Sequence, residues 1–448
     1  MKTHQMTEGP IARTILLYSI PLILGNLLQQ LYNAADSLIV GNFVGDRALA
    51  AVGASGNLIF VLIALYLGAS SGAGIIIAQL YGSRDRERLG IAVHTTITLA
   101  LILGTVIMIA GIFVAPALLS VLGTPTEVMP QAILYLRIFF GGMIFNVVYN
   151  MAAGILNAVG NSRRSLVYLG VASITNILLD LLLVAGMKLG IAGAAIATDL
   201  SQLLSAILVL RFLQKTSEDY RVSIKDLHLN VPMAVRIMQV GIPTAIQNAV
   251  IGLSNLFIQA GVNSYGTAAV AGFTAYMKVD GFNIMPIMSF SLAATTFTGQ
   301  NLGAGKCDRV KKGMRTVVLM GLIYTACMTG IMLLFAQSII GWFSNDPEVI
   351  AYGVIAVWSL APFYTLLSLI HDLAGMIRGT GHTVEPMLII LFSLCLFRIF
   401  WIHLIAPRFG SIWGVLYTYP SSFLVGAILM SLYAWKGRWK TALNVEET

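Results

Sequence analysis

Asp36 lies inside PLILGNLLQQLYNAADSLIVG, the stretch from Pro21 to Gly41, which is long and apolar enough to cross a membrane as a helix. Asn26, Gln29, Asn33 and Asp36 recur every three or four residues and form one polar stripe on an otherwise apolar helix. An unpaired charge at that depth costs at least about 2.5 kcal/mol, so the stripe must face protein or water. Asn176 and Asp180 stand at i and i+4 in NILLDLLLV, on one helix face, and Thr198 follows in GAAIATDLSQ. If these faces converge with Asp36, they offer two carboxylates, an amide and a hydroxyl, all hard oxygen donors. Such a set suits Na⁺ or a shared proton, because two buried carboxylates cannot both carry charge cheaply. The plainer alternative is an interhelical hydrogen-bond network that pins packing, worth about 0.6 kcal/mol per contact. Two acids are more than packing needs.

The elements that must position these groups are membrane helices. Of 448 residues, 57% are hydrophobic and 10% charged, and the mean hydropathy is +0.84. A soluble chain carries about 25% charged residues. Apolar runs separated by charged or Gly/Pro-rich punctuation predict twelve helices, at about 14–40, 48–80, 89–114, 131–158, 166–186, 190–213, 234–262, 268–302, 313–336, 348–378, 385–405 and 411–435. The fold class expected is an all-α polytopic membrane protein, its twelve helices forming two six-helix bundles related by a pseudo-two-fold axis.

The bundles are read from a repeat. At an offset of 221 or 222, Pro21 answers Pro243, Asn26 answers Asn248, and Asn33 answers Asn255. Gln79 and Gly82 answer Gln300 and Gly303, and AGILNAVG from Ala153 answers AGMIRGTG from Ala374. Six crossings return the chain to its starting side, so the halves share one orientation. The expected domains are residues 1–213, a cytoplasmic linker at 214–232, and residues 233–448. Glycines and prolines shared by the halves answer backbone needs. Asp36 and Asp180 have no acidic counterpart: they fall opposite Phe257 or Ile258 and Trp401 or Ile402. The carboxylates are an addition to the first bundle.

The net charge of +8 does not indicate nucleic acid. Twelve helices leave Arg47, Lys188 and Arg408 on outer loops and Arg137, Lys278 and Arg398 within helices, with the remaining 21 of 27 Lys and Arg inside. That bias predicts cytoplasmic termini in a cell membrane. The three cysteines are scattered and form neither a disulfide framework nor a metal cluster, and the first fourteen residues show no signal-peptide pattern. In the second bundle Lys278, Asp280, Asp372 and Arg398 fall within the predicted spans. A buried Lys–Asp pair, with Lys278 held by Asp280 or Asp372, competes there with a substrate contact at Lys278, Asp280 and Asp372. His371 beside Asp372 lacks the nucleophile motif that catalysis would need.

Taken together, these residues resemble the multidrug and toxic compound extrusion (MATE) family over essentially the whole chain. The resemblance rests on Pro21 and Asp36, Gln79-x-x-Gly82, AGILNAVGN, Asn176-x-x-x-Asp180 and Thr198. It implies a transporter and no enzyme: a cation-coupled antiporter exporting amphipathic, cationic drugs or metabolites, with H⁺ or Na⁺ as coupling ion and no cofactor. It implies coupling at Asp36, Asn176, Asp180, Thr198 and Tyr135, with Na⁺ able to sit at the first four. Gln29, Tyr32 and Asn33 would line the neighbouring substrate cavity, and Pro21 would be the hinge of the first helix. The sodium-driven branch carries a Glu in helix seven where this chain has Ile251, which points to use of the first bundle. Expected partners are small amphipathic substrates and membrane lipid, with no nucleic acid and a monomer as the working unit. The alternatives are a flippase of a lipid-linked or polar metabolite on the same fold and a major-facilitator transporter. The loop Gly82-Ser-Arg-Asp85-Arg86 is one residue short of the latter's signature.

Overall fold

A chain with this much apolar surface satisfies its backbone groups internally, and helices do so within each segment. The computed structural model describes residues 6–121 and 124–443, and every regular element among them is helical. In order these are α1 (Ile11–Phe43), α2 (Asp46–Ser83), α3 (Arg86–Val121), α4 (Met129–Gly141), α5 (Met143–Ala158), α6 (Ser162–Asp180) and α7 (Gly190–Lys215). Then follow α8 (Val231–Asn263), α9 (Thr267–Gly303), α10 (Cys307–Leu334), α11 (Ala336–Gly341), α12 (Pro347–Leu360) and α13 (Tyr364–Gly379). The last four are α14 (Val384–Leu391), α15 (Phe397–Phe400), α16 (Ile412–Leu416) and α17 (Thr418–Lys436). Among the described residues ten helical stretches are long and apolar enough to cross a membrane, or eleven with α4 and α5 taken as one bent span. The twelfth expected helix is α9, 37 residues long but interrupted by Lys278, Asp280 and a Ser/Thr-rich stretch.

The chain forms two compact units. One holds residues 20–245; the other holds residues 6–19 and 246–443. The divisions fall inside α1 and α8, after Ser19 and after Ala245, close to Pro21 and Pro243. α1 nevertheless runs through Pro21 without a break in its helical run. The connection at 214–232 packs on the first unit. Tyr220 is buried with its ring 6.3 Å from that of Tyr81, and the Ser223 N–H donates to His94 Nε2 at 3.0 Å.

The repeat extends to single bonds. In the first unit Ser70 Oγ donates to the Asn150 carbonyl at 3.1 Å; in the second Ser291 Oγ donates to the His371 carbonyl at 2.6 Å, each partner exactly one repeat away. Gly154 and Gly375 make room for those serines: a Cβ would stand 2.6 Å from Ser70 Oγ and 2.4 Å from the Ser291 carbonyl oxygen. Gly45 and Gly266 hold φ of 104° and 92° before α2 and α9, a conformation that costs glycine little.

Two expected helices are broken. Residues 131–158 form α4 and α5, bent by 49° around Gly142. The span at 348–378 is interrupted at Ala361–Phe363, where Pro362 cannot donate a helical hydrogen bond. α6 ends in a π turn, Leu181–Gly186, and two more π turns, Phe392–Leu396 and Trp401–Ile405, flank α15.

Candidate functional site

The first unit brings α1, α4, α6 and α7 together around the predicted acids. Asp36 sits on α1 and is buried; Asp180 is the last residue of α6 and Asn176 lies one turn before it, both fully enclosed. Asn176 Nδ2 donates to Thr198 Oγ1 on α7 at 3.4 Å. The Tyr32 hydroxyl, one turn before Asp36, also bonds to Thr198. Tyr135 on α4 is buried, stacks on Phe139 at 6.1 Å between ring centres, and feels the charges of Asp36 and Asp180. Asp36, Asn176, Asp180 and Thr198 therefore meet in one place, with Tyr135 within electrostatic range of both acids.

The chemistry is set by what these groups lack. The Asp36 and Asp180 side chains lie within hydrogen-bond reach of each other, yet ionised carboxylates only accept. Asp36 Oδ1, both carboxylate oxygens of Asp180 and Asn176 Oδ1 are buried without a donor. A polar network that served packing would be satisfied throughout, since a half-satisfied one is worse than an apolar core. Four buried oxygens on α1 and α6 instead form a donor set for a small cation, or for a proton held between the two acids.

Further polar groups stand beside this set. Asp199, next to Thr198, accepts from the Gly142 N–H at the bend between α4 and α5, and a Cβ at Gly142 would stand 2.0 Å from its Cγ. The bend thus brings a third acid beside the site. On α2 the Tyr66 hydroxyl donates to Asn146 Oδ1 at 2.6 Å, and Asn150 Nδ2 donates to the same oxygen at 2.9 Å. Asn146 and Asn150 stand four apart on α5, and only the α2–α5 contact brings Tyr66 to them.

The predicted cavity residues divide. Gln29 and Asn33 are exposed on α1, whereas Tyr32 turns to Thr198. In the second unit the expected Lys–Asp pair is not what the structure contains. Lys278 is exposed and no ion pair among the described residues includes it. Asp280, two residues on, points inward, accepts from the Tyr276 hydroxyl at 3.3 Å and lies in the field of Arg398. Residues two apart on a helix face different ways, so Lys278 and Asp280 cannot share a face. Asp372 accepts from Ser368 Oγ at 2.9 Å and packs against α10, where a Cβ on Gly321 would stand 2.1 Å from its Oδ2.

A profile of the MatE family matches residues 21–182 and 243–402, one half of the repeat each. The chain belongs to the MatE family. MatE proteins are transporters rather than enzymes, and membership of this family replaces the major-facilitator reading. The probable multidrug resistance protein YpnP of Bacillus subtilis is 29% identical over 98% of this chain and 98% of its own. Among solved structures, a MATE transporter in a bent conformation superposes with a TM-score of 0.92 at 24% identity, covering all of both chains. A transporter from Pyrococcus furiosus, whose pocket of reversed polarity is taken to suggest a different function, gives 0.90 at 25% identity over 99% of each chain. This MatE chain therefore has the MATE fold over its whole length.

Proposed function

We propose that this MatE chain is a monomeric antiporter, driven by H⁺ or Na⁺, that exports amphipathic, cationic drugs or metabolites from the cytoplasm, with both termini on the cytoplasmic side. The observation that carries the reading is the set of four donorless buried oxygens on Asp36, Asp180 and Asn176. The multidrug names of its relatives support the substrate class.

The sequence of events follows from charge. With both acids ionised, their repulsion and desolvation favour any geometry that parts α1 from α6. A proton between them or a Na⁺ on their oxygens removes that cost and draws the helices together. Pro21 lies fifteen residues before Asp36 and lacks the N–H that would stiffen α1, which gives the helix a place to bend as the site loads and empties. That bend reshapes the surface bearing Gln29 and Asn33, where substrate is taken. Ion and substrate compete for one state of the unit, which makes the exchange an antiport. The inward ion gradient contributes about 2.3 kcal/mol per charge per 100 mV.

Proteoliposomes loaded with a fluorescent cationic dye distinguish the drivers. Imposed pH and Na⁺ gradients, applied separately, should give dye movement with one of them. Dye movement with neither gradient would defeat the antiport reading and leave the flippase of a polar or lipid-linked metabolite.

A further inference from the structure

Where the repeat places the ion site of the first unit, the second unit carries a buried arginine. Arg398 on α15 is 3% exposed. Its Nε donates to Ser422 Oγ on α17 at 3.0 Å and its Nη1 to Asn255 Oδ1 on α8 at 3.2 Å. The guanidinium carbon lies 4.6 Å above the Tyr419 ring and 5.5 Å from that of Phe423.

The register makes this position meaningful. Gly160 answers Gly381 at an offset of 221. The π turn Phe392–Leu396 then inserts one extra residue into the helix. Past it the offset is 222, and Arg398 answers Asn176. Its neighbours fit this correspondence: Asn255 answers Asn33 on the first helix of the repeat at 222, and Tyr419 answers Thr198 on the sixth at 221, beyond the π turn Leu181–Gly186 of the first half. In the first unit α1, α6 and α7 enclose two acids and an amide. In the second unit their counterparts α8, α15 and α17 enclose a guanidinium.

A buried guanidinium is costly unless its charge is balanced. No ion pair among the described residues includes Arg398. The acid placed in its field is Asp280 on α9, buried and held by the Tyr276 hydroxyl, which in turn bonds to the Tyr364 hydroxyl. We propose that Arg398 is a built-in cation: its guanidinium holds permanently, in the second unit, the position that an exchangeable ion takes in the first, with Asp280 as counter-charge. The second unit then binds no coupling ion, and each chain carries one ion site. The comparison with the first unit rests on the ion site proposed above; the guanidinium site itself does not.

Excision tests it on the full-length protein in detergent. Arg398→Ala removes the cation and should lower the thermal unfolding midpoint. Millimolar guanidinium chloride should recover a large part of that loss while leaving the parent protein unmoved; equal urea, the neutral analogue, should recover none. No recovery with guanidinium, or equal recovery with urea, would overturn the proposal. If Arg398→Ala does not yield folded protein, Arg398→Gln and Arg398→Gln with Asp280→Asn replace it. The single variant should be less stable than the parent and the double variant should regain part of the loss, because both charges are gone. A double variant no better than the single one overturns the counter-charge. Failure of the first-unit reading shows separately, as gradient-driven efflux surviving Asp36→Asn, and leaves the rescue measurement unaffected.

Discussion

A carboxylate accepts hydrogen bonds and donates none, so Asp36 and Asp180 cannot satisfy each other without a third particle. Asn176 and Thr198 cannot supply it: the one bond between them uses the Asn176 amide hydrogen and leaves its oxygen free. Asp36→Asn and Asp180→Asn each introduce an amide that donates to the remaining acid, and so mimic the loaded state. Both variants should remain folded, bind substrate, and lose gradient-driven efflux of the dye. Full efflux in Asp36→Asn would exclude it as the coupling residue. Thr198→Val removes only a neutral oxygen and the acceptor for Tyr32 and Asn176. It should leave efflux measurable but require a higher concentration of the driving ion for half-maximal rate.

Helices in a membrane gain little from burying apolar surface against each other, and the approach of their backbones decides how well they pack. In the first unit α2 meets the start of α8 through Gly68, Gly72 and Gly241. A Cβ at Gly72 would stand 2.2 Å from the Ile237 carbonyl oxygen, and one at Gly241 would stand 2.4 Å from that of Gly68. Neither obstacle is a movable side chain. Gly72→Val should therefore destabilise the protein by at least about 1–3 kcal/mol, the usual cost of overpacking. The thermal midpoint should fall well below that of Gly90→Ala, whose added carbon meets nothing within 4 Å. Equal midpoints would mean that α2 and α8 do not touch this closely in the folded protein. Gly142 plays a different part, since its missing side chain admits the Asp199 carboxylate at the α4–α5 bend.

At the scale of the whole chain, the distribution of Lys and Arg predicts orientation. Single cysteines beside Arg164 and Asp308 should react with an impermeant thiol reagent only from the cytoplasm, and cysteines beside Thr124 and Asn345 only from outside, in a background lacking Cys307, Cys327 and Cys395. Labelling of Asn345 from the cytoplasm would remove the crossing assigned to α10. The same experiment bears on α9, which is long enough to span but carries Lys278 and Asp280.

The periodicity of the apolar runs determined the helices, and the 221-residue repeat determined their grouping, because lipid leaves a backbone few ways to satisfy its polar groups. The acids of the first half stood out in the sequence alone, since a charge in an apolar helix needs a reason. Helical spacing put Asn176 and Asp180 on one face, and the repeat marked Asp36, Asp180 and Thr198 as lacking counterparts; that the four form one set was implied by the MATE resemblance. Tertiary structure decided which groups they meet. The bend at Gly142, the turn of Asp199 toward it, and the inward face of Asp280 depend on contacts between helices distant in sequence. Arg398 is the sharpest case. Its role is hidden by a π turn that shifts the register by one residue, and counting along the chain cannot reveal an extra residue absorbed inside a helix.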